Sequence, residues 1–152
     1  MKKIIVLACV LGMFSSVFVS CSKDEEADKK QIIIDNEWKI TSFETEKVDT
    51  TFSAFSTALL AISTMTYDFN EDGSYESTTS SILSTELQIE EGTWSISDDY
   101  ATLTMDSVAT TVTACTETTL KLTSDDGASI DFGEEYVFDT GKITIVFTAV
   151  TK

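Results

Sequence analysis

From Trp38 onward, apolar and polar residues alternate with a period of two, the spacing of strands that bury one face. Met65, Tyr67 and Phe69 alternate with Thr66, Asp68 and Asn70; Trp94 and Ile96 alternate with Thr93, Ser95 and Ser97. The same rhythm runs through Leu103 and Met105, through Leu120 and Leu122, and through Ile143, Ile145 and Phe147. Threonine dominates the outward positions, which suits a solvated β face. Asn70-Glu71-Asp72-Gly73, Asp98-Asp99, Ser124-Asp125-Asp126-Gly127 and Asp139-Thr140-Gly141 separate the runs as turns. Strand, turn and strand at about 8–12 residue spacing predict an all-β antiparallel barrel or sandwich. No helical intervals separate the strands in the manner of a parallel α/β sheet.

One segment has a different period. Phe52, Phe55, Leu59 and Ile62 are spaced as one stripe of an amphipathic helix, with Asp49 or Thr50 as its cap. It falls between a first strand, residues 38–46, and the strand at 64–70. The stripe either packs on the sheet as ordinary core or forms a lid over an open barrel end.

The N-terminus is organised differently. Lys2 and Lys3 precede an uncharged apolar run from Ile4 to Val19, then Ser20, Cys21 and the charged stretch Ser22-Lys23-Asp24-Glu25-Glu26. A basic start, an apolar centre and small residues at a cut site form a secretory signal peptide. The run of about 16 residues is shorter than the ~20 of a membrane-spanning helix. Phe18-Val19-Ser20-Cys21 resembles the bacterial lipobox, although Phe18 and Val19 depart from its usual Leu and small residue. That resemblance implies cleavage before Cys21 and acylation of its thiol, with the lipid bilayer as partner. Two or more acyl chains hold a protein where one binds reversibly. The acidic stretch after Cys21 is similar to the short signal that directs Bacteroides-type lipoproteins to the outer face of the outer membrane. The expected organisation is a signal peptide at 1–20, a lipidated N-terminus and acidic tether at 21–34, whose closing Ile32-Ile33-Ile34 is a candidate start of the fold, and one domain at 35–152. A monomer at the outer membrane, displayed at the cell surface, is the expected state.

The formal charge is −16, with 26 acidic residues, no histidine and no arginine. Removal of Lys2 and Lys3 makes the chain still more negative. Such a surface repels nucleic acid. Cys9 leaves with the signal peptide and Cys21 takes lipid, so Cys115 has no disulfide partner and reads as a small buried hydrophobe. Without histidine no Ser-His-Asp triad forms, and a reactive thiolate lacks its usual partner. Catalysis is not expected, nor is a cofactor. Asn70-Glu71-Asp72-Gly73 and Asp125-Asp126-Gly127 cluster oxygens, but neither has the spacing of a calcium loop, so no metal is expected.

Three motifs, in order, carry a resemblance to a family. Asn36-Glu37-Trp38-Lys39-Ile40 looks like the Gly-x-Trp opening of the first lipocalin strand, with Asn36 in the glycine position. Residues 66–75, Thr-Tyr-Asp-Phe-Asn-Glu-Asp-Gly-Ser-Tyr, are similar to the Tyr-x-Phe-x-x-Asp-Gly-x-Tyr hairpin of Bacteroides-type lipocalin-like lipoproteins. Glu91-Gly92-Thr93-Trp94-Ser95-Ile96 resembles the strand that follows. The resemblance spans residues 36–150 and implies an up-and-down barrel of about eight strands, with one short helix after the first. It also implies noncovalent binding of a small apolar molecule. The candidate lining and lid residues are Trp38, Phe52, Phe55, Leu59, Tyr67, Phe69, Tyr75, Trp94, Phe138 and Phe147. Many lipocalins stack an arginine on the strand-one tryptophan; here only Lys39, Lys121 or Lys142 is available, as a point charge. The same aromatic residues could instead fill the barrel. That would leave a structural or accessory surface protein that meets a protein or glycan partner with its outer face. Asp49-Thr50-Thr51 and Asp106-Ser107-Val108 resemble Bacteroides-type O-glycosylation triplets, with Thr50 and Ser107 as acceptors.

Overall fold

A computed structural model describes residues 24–124 and 140–150. Cys21, Phe138 and the turn at 125–127 lie outside the described residues. Helix α1 (Asp24–Asp35) leads into strand β1 (Glu37–Thr45), followed by α2 (Thr50–Ile62), β2 (Ser63–Phe69), β3 (Ser74–Ser81), β4 (Ser84–Ile96), β5 (Thr102–Met105), β6 (Val108–Cys115), β7 (Thr119–Ser124) and β8 (Ile143–Val150). Each strand pairs antiparallel with the next, and β8 returns to β1, closing an up-and-down barrel of eight described strands. The expected fold class is the observed one.

The two ends of the barrel are built differently. At the base, Gly73 takes φ +86° in the β2–β3 turn, where Asp72 accepts from the Ser74 backbone N–H at 2.9 Å. Trp38, Phe69, Trp94, Leu103, Leu120 and Phe147 point inward there and are nearly or fully buried. Both indoles find acceptors: Trp38 Nε1 donates to the Ile33 carbonyl and Trp94 Nε1 to the Asn70 carbonyl, each at 2.9 Å. A buried indole N–H without a partner would be costly.

Within the stretch expected as tether, the run Ile32-Ile33-Ile34 joins the fold. The chain from Asp24 is helical, and Ile33 is fully buried in the same cluster as Trp38. Core packing therefore begins before residue 35. The physical reason is closure: the barrel base needs an apolar cover, and the Ile32-Ile33-Ile34 run supplies it. This also answers the absent arginine. Lys121 pairs with Glu44 on the outer face at 2.8 Å, and α1 covers the strand-one tryptophan instead.

At the opposite end, the mouth, α2 crosses between β1 and β2. Asp49 is its N-cap, accepting from the Thr51 and Phe52 backbone N–H groups at 2.9 Å each. Phe52 is buried and meets the Phe43 ring edge-on, with centroids 6.2 Å apart. Phe55, Leu59 and Ile62 are half-buried, so the helical stripe faces the barrel as its spacing predicts.

β4 and β5 set the shape of the wall. β5 has only 4 residues and pairs with β4 from Trp94 to Ile96, so the longer β4 rises above it with that edge unpaired among the described residues. Leu87 and Ile89, which alternation alone would assign to the core, are 61% and 57% exposed. The inward side of Trp94 and Gly92 fixes the parity, so Gln88 and Glu90 point into the barrel and Leu87 and Ile89 point out.

Candidate functional site

Above the packed base, the interior is lined by side chains that are only half-buried: Phe43, Met65, Tyr67, Tyr75, Met105, Val112 and Ile145. Tyr67 stands at the boundary. Its ring centroid lies 5.7 Å from Phe147, 6.0 Å from Tyr75 and 6.4 Å from Phe69, and Phe69 in turn packs on Trp94 at 5.1 Å. These rings form a continuous aromatic floor across β2, β3, β4 and β8.

The expected site residues therefore separate. Trp38, Phe69, Trp94 and Phe147 belong to the packed base, and their burial makes them structural. Tyr67 and Tyr75 form the floor of the open half. Phe52, Phe55 and Leu59 sit on α2 at the mouth, and Phe138 lies outside the described residues. Alternation missed Phe43, Leu60, Ser77 and Glu90. Phe43 and Leu60 join Phe52, Ser56 and Ala61 around a groove of about 440 Å³ between α2 and β1. Ser77 and Glu90 are polar, so hydrophobic patterning gave no signal for them.

One wall is held by a carboxylate clamp. Asp106 and Ser107 form the two-residue β5–β6 turn, both with positive φ, +45° and +76°. Asp106 accepts from the Tyr75 hydroxyl, and from the Thr93 backbone N–H at 2.8 Å. Gly92 makes the crossing feasible. A Cβ there would stand 2.5 Å from both the Tyr75 ring and the Asp106 carboxylate. The aspartates of both triplets thus hold turns: Asp49 caps a helix and Asp106 fastens two strands.

Titration follows the geometry. Burial raises the Tyr75 phenol, and the hydrogen bond and charge of Asp106 raise it further. Burial also raises Tyr67, with Glu90 contributing a smaller repulsion of the phenolate. Cys115 is raised by burial, partly offset by Lys29, and its Sγ lies 3.8 Å from the Lys29 carbonyl. Its thiol stays protonated near neutrality, as its packing against the core suggests. Among the described residues, no three metal-capable side chains converge.

Asp106 is lowered from 3.8, chiefly by the Tyr75 hydroxyl and then by the Thr93 backbone. A lowered folded value means that its contribution is present above pH 3.8 and lost as the pH falls through the folded value. Asp106→Asn should therefore be less stable than the parent at neutral pH, with the gap narrowing below pH 3.8. Urea midpoints across that range test this, and a gap independent of pH would rule the clamp out as its source. Because the carboxylate is solvent-facing, the effect should be modest.

A closed antiparallel barrel with a packed base and a helix at its mouth defines a small β-barrel protein. The sequence model of the lipocalin-like domain family matches residues 34–123, more than half of the chain, and the protein belongs to that family. No curated protein matches it.

Proposed function

We propose that the protein is an exported lipoprotein, anchored to the outer membrane by acyl chains on Cys21, whose barrel binds a small apolar molecule noncovalently at the mouth. The observation that carries this reading is the division of the barrel. Below Tyr67 the rings pack solidly, whereas above it Met65, Phe43 and Ile145 keep part of their surface open. Apolar surface left half-exposed inside a barrel gains by being covered. The groove beneath α2, at about 440 Å³, exceeds the ~300 Å³ at which ligand pockets usually begin. Phe52 and Leu60 make α2 the lid.

A panel of medium-chain fatty acids, fatty alcohols and sterols tests the idea through thermal unfolding of the full chain. Ligand at 100 times its Kd should stabilise the folded state by about 2.7 kcal/mol. Phe52→Ala should weaken that shift. A panel with no effect on melting sinks the small-molecule reading.

A second reading has its own observation. Ile82 and Leu83 at the β3–β4 tip are strongly exposed, and together with Leu87 and Ile89 they border the stretch of β4 that has no β5 partner among the described residues. An accessory protein that meets a partner through this edge would use such a surface. Loss of partner capture on Leu87→Lys, with unchanged melting, would favour it over ligand binding.

A further inference from the structure

The register of the barrel wall places three polar groups in one row facing the lumen. Tyr67 on β2 is directly opposite Ser77 on β3, and Ser77 is directly opposite Glu90 on β4. All three share the inward face with Tyr75 and Trp94, because strand neighbours two apart point the same way. Ser77 is only 9% exposed, and its hydroxyl has no hydrogen-bond partner among the described residues. The hydroxyl keeps some access to solvent and is free to take a ligand donor.

The charges on this face all have one sign. Lys39 and Lys121 alternate with buried neighbours and face outward, so no lysine of the described strands enters the lumen. Glu90 faces the lumen from an exposed position, with no lysine of the described strands beside it, near an aromatic floor whose ring faces also carry partial negative charge. The opposite wall is apolar, with Ile40, Ile143, Ile145 and Phe147.

We infer that the lumen takes an amphiphile with a cationic amine head, its ammonium on Glu90, Ser77 and Tyr67 and its apolar tail toward Phe43 and the α2 lid. This rests on the binding reading above and narrows its ligand class. An ammonium donates to the Ser77 hydroxyl oxygen and the Glu90 carboxylate, and meets the Tyr67 ring as a cation over a π face. A carboxylate head would meet Glu90 as a like charge. A hydroxyl head would supply Ser77 with a partner and leave Glu90 uncompensated.

Decylamine, decanol and decanoate at equal concentration, in about 0.15 M salt where surface charges are screened beyond about 8 Å, make the test. Binding to the full chain is read by calorimetry. The expected order is decylamine tightest, tighter than decanol by about tenfold, with decanoate weakest. Glu90→Gln should erase the amine preference, so that decylamine binds no more tightly than decanol. Glu117→Gln, in the β6–β7 turn at the far end, controls for overall charge and should keep the preference. Equal binding of decylamine and decanol, a preference that survives Glu90→Gln, or one lost equally in Glu117→Gln overturns the amine assignment while leaving the mouth as a binding site. Binding of none of the three overturns both. Glu90 is exposed, so unchanged melting of its variant confirms that folding is not what is being read.

Discussion

Trp38→Ala should destabilise the protein by about 3–5 kcal/mol, the range for deleting a large aromatic side chain from a packed core. Typical domain stabilities are only about 5–15 kcal/mol, so the variant should sit close to unfolding. Two losses combine. The indole is fully buried between Ile33, Phe69, Leu120 and their neighbours, so its removal leaves a void at the narrow end of the barrel. Its Nε1 also holds the Ile33 carbonyl at 2.9 Å, so the last turn of α1 loses an anchor. Trp38→Phe separates these effects: it keeps most of the ring volume and loses the donor, and should cost distinctly less. Urea unfolding followed by far-ultraviolet circular dichroism measures both, with Trp94 fluorescence as a second probe. A loss below about 1 kcal/mol for Trp38→Ala would mean that α1 does not close the base.

Cys21→Ala should move the protein almost completely from the membrane fraction to the soluble fraction. Each buried methylene contributes about 0.8 kcal/mol, so a pair of acyl chains holds against any concentration gradient a cell provides, and no other segment is proposed to replace it. Among the described residues no helix is long and apolar enough to cross a membrane. The released barrel should melt like the wild type, because core packing starts at Ile33. The fold adds a consequence for the anchored protein. Helix α1 begins at Asp24, 3 residues after Cys21, and runs to the barrel base. Acylation would then hold the closed end of the barrel toward the bilayer through a short helix rather than a loose tether, with the α2 mouth at the opposite end. A Cys21→Ala protein that stayed in the membrane fraction would remove the anchor from the proposal.

Much of this was legible along the chain because strands advertise themselves by parity. Leu120 with Leu122, and Ile143 with Phe147, are buried as alternation predicts, and Gly73 takes the positive φ that its turn was expected to need. The α2 stripe was legible for the same reason at a different period. Helix α1 was legible only at its end. Its charged start reads as a solvated tether, while the apolar Ile32-Ile33-Ile34 run is where the fold was open to begin, and the barrel base turns Ile33 inward. In β4, local pattern and global register disagree: Leu87 and Ile89 look like core, but Trp94 further along the same strand fixes the parity and turns them out. The candidate site divides along the same line. Aromatic residues could be proposed from composition and motif. Which of them pack and which line open space depended on the distance of each from the closed base.

By itself the sequence determined the class of fold, the turn positions and the helical stripe after the first strand. Those properties are local: each needs only residue type and spacing within one element. The tertiary structure alone decided that Asp106 fastens Tyr75 and Thr93, that Gly92 must be bare for the Tyr75 ring to pass, and that Tyr67, Ser77 and Glu90 stand in one row. These residues are separated by up to tens of positions in the chain and meet only through strand register. Register is set jointly by every strand in a closed barrel, so no single segment could have announced it.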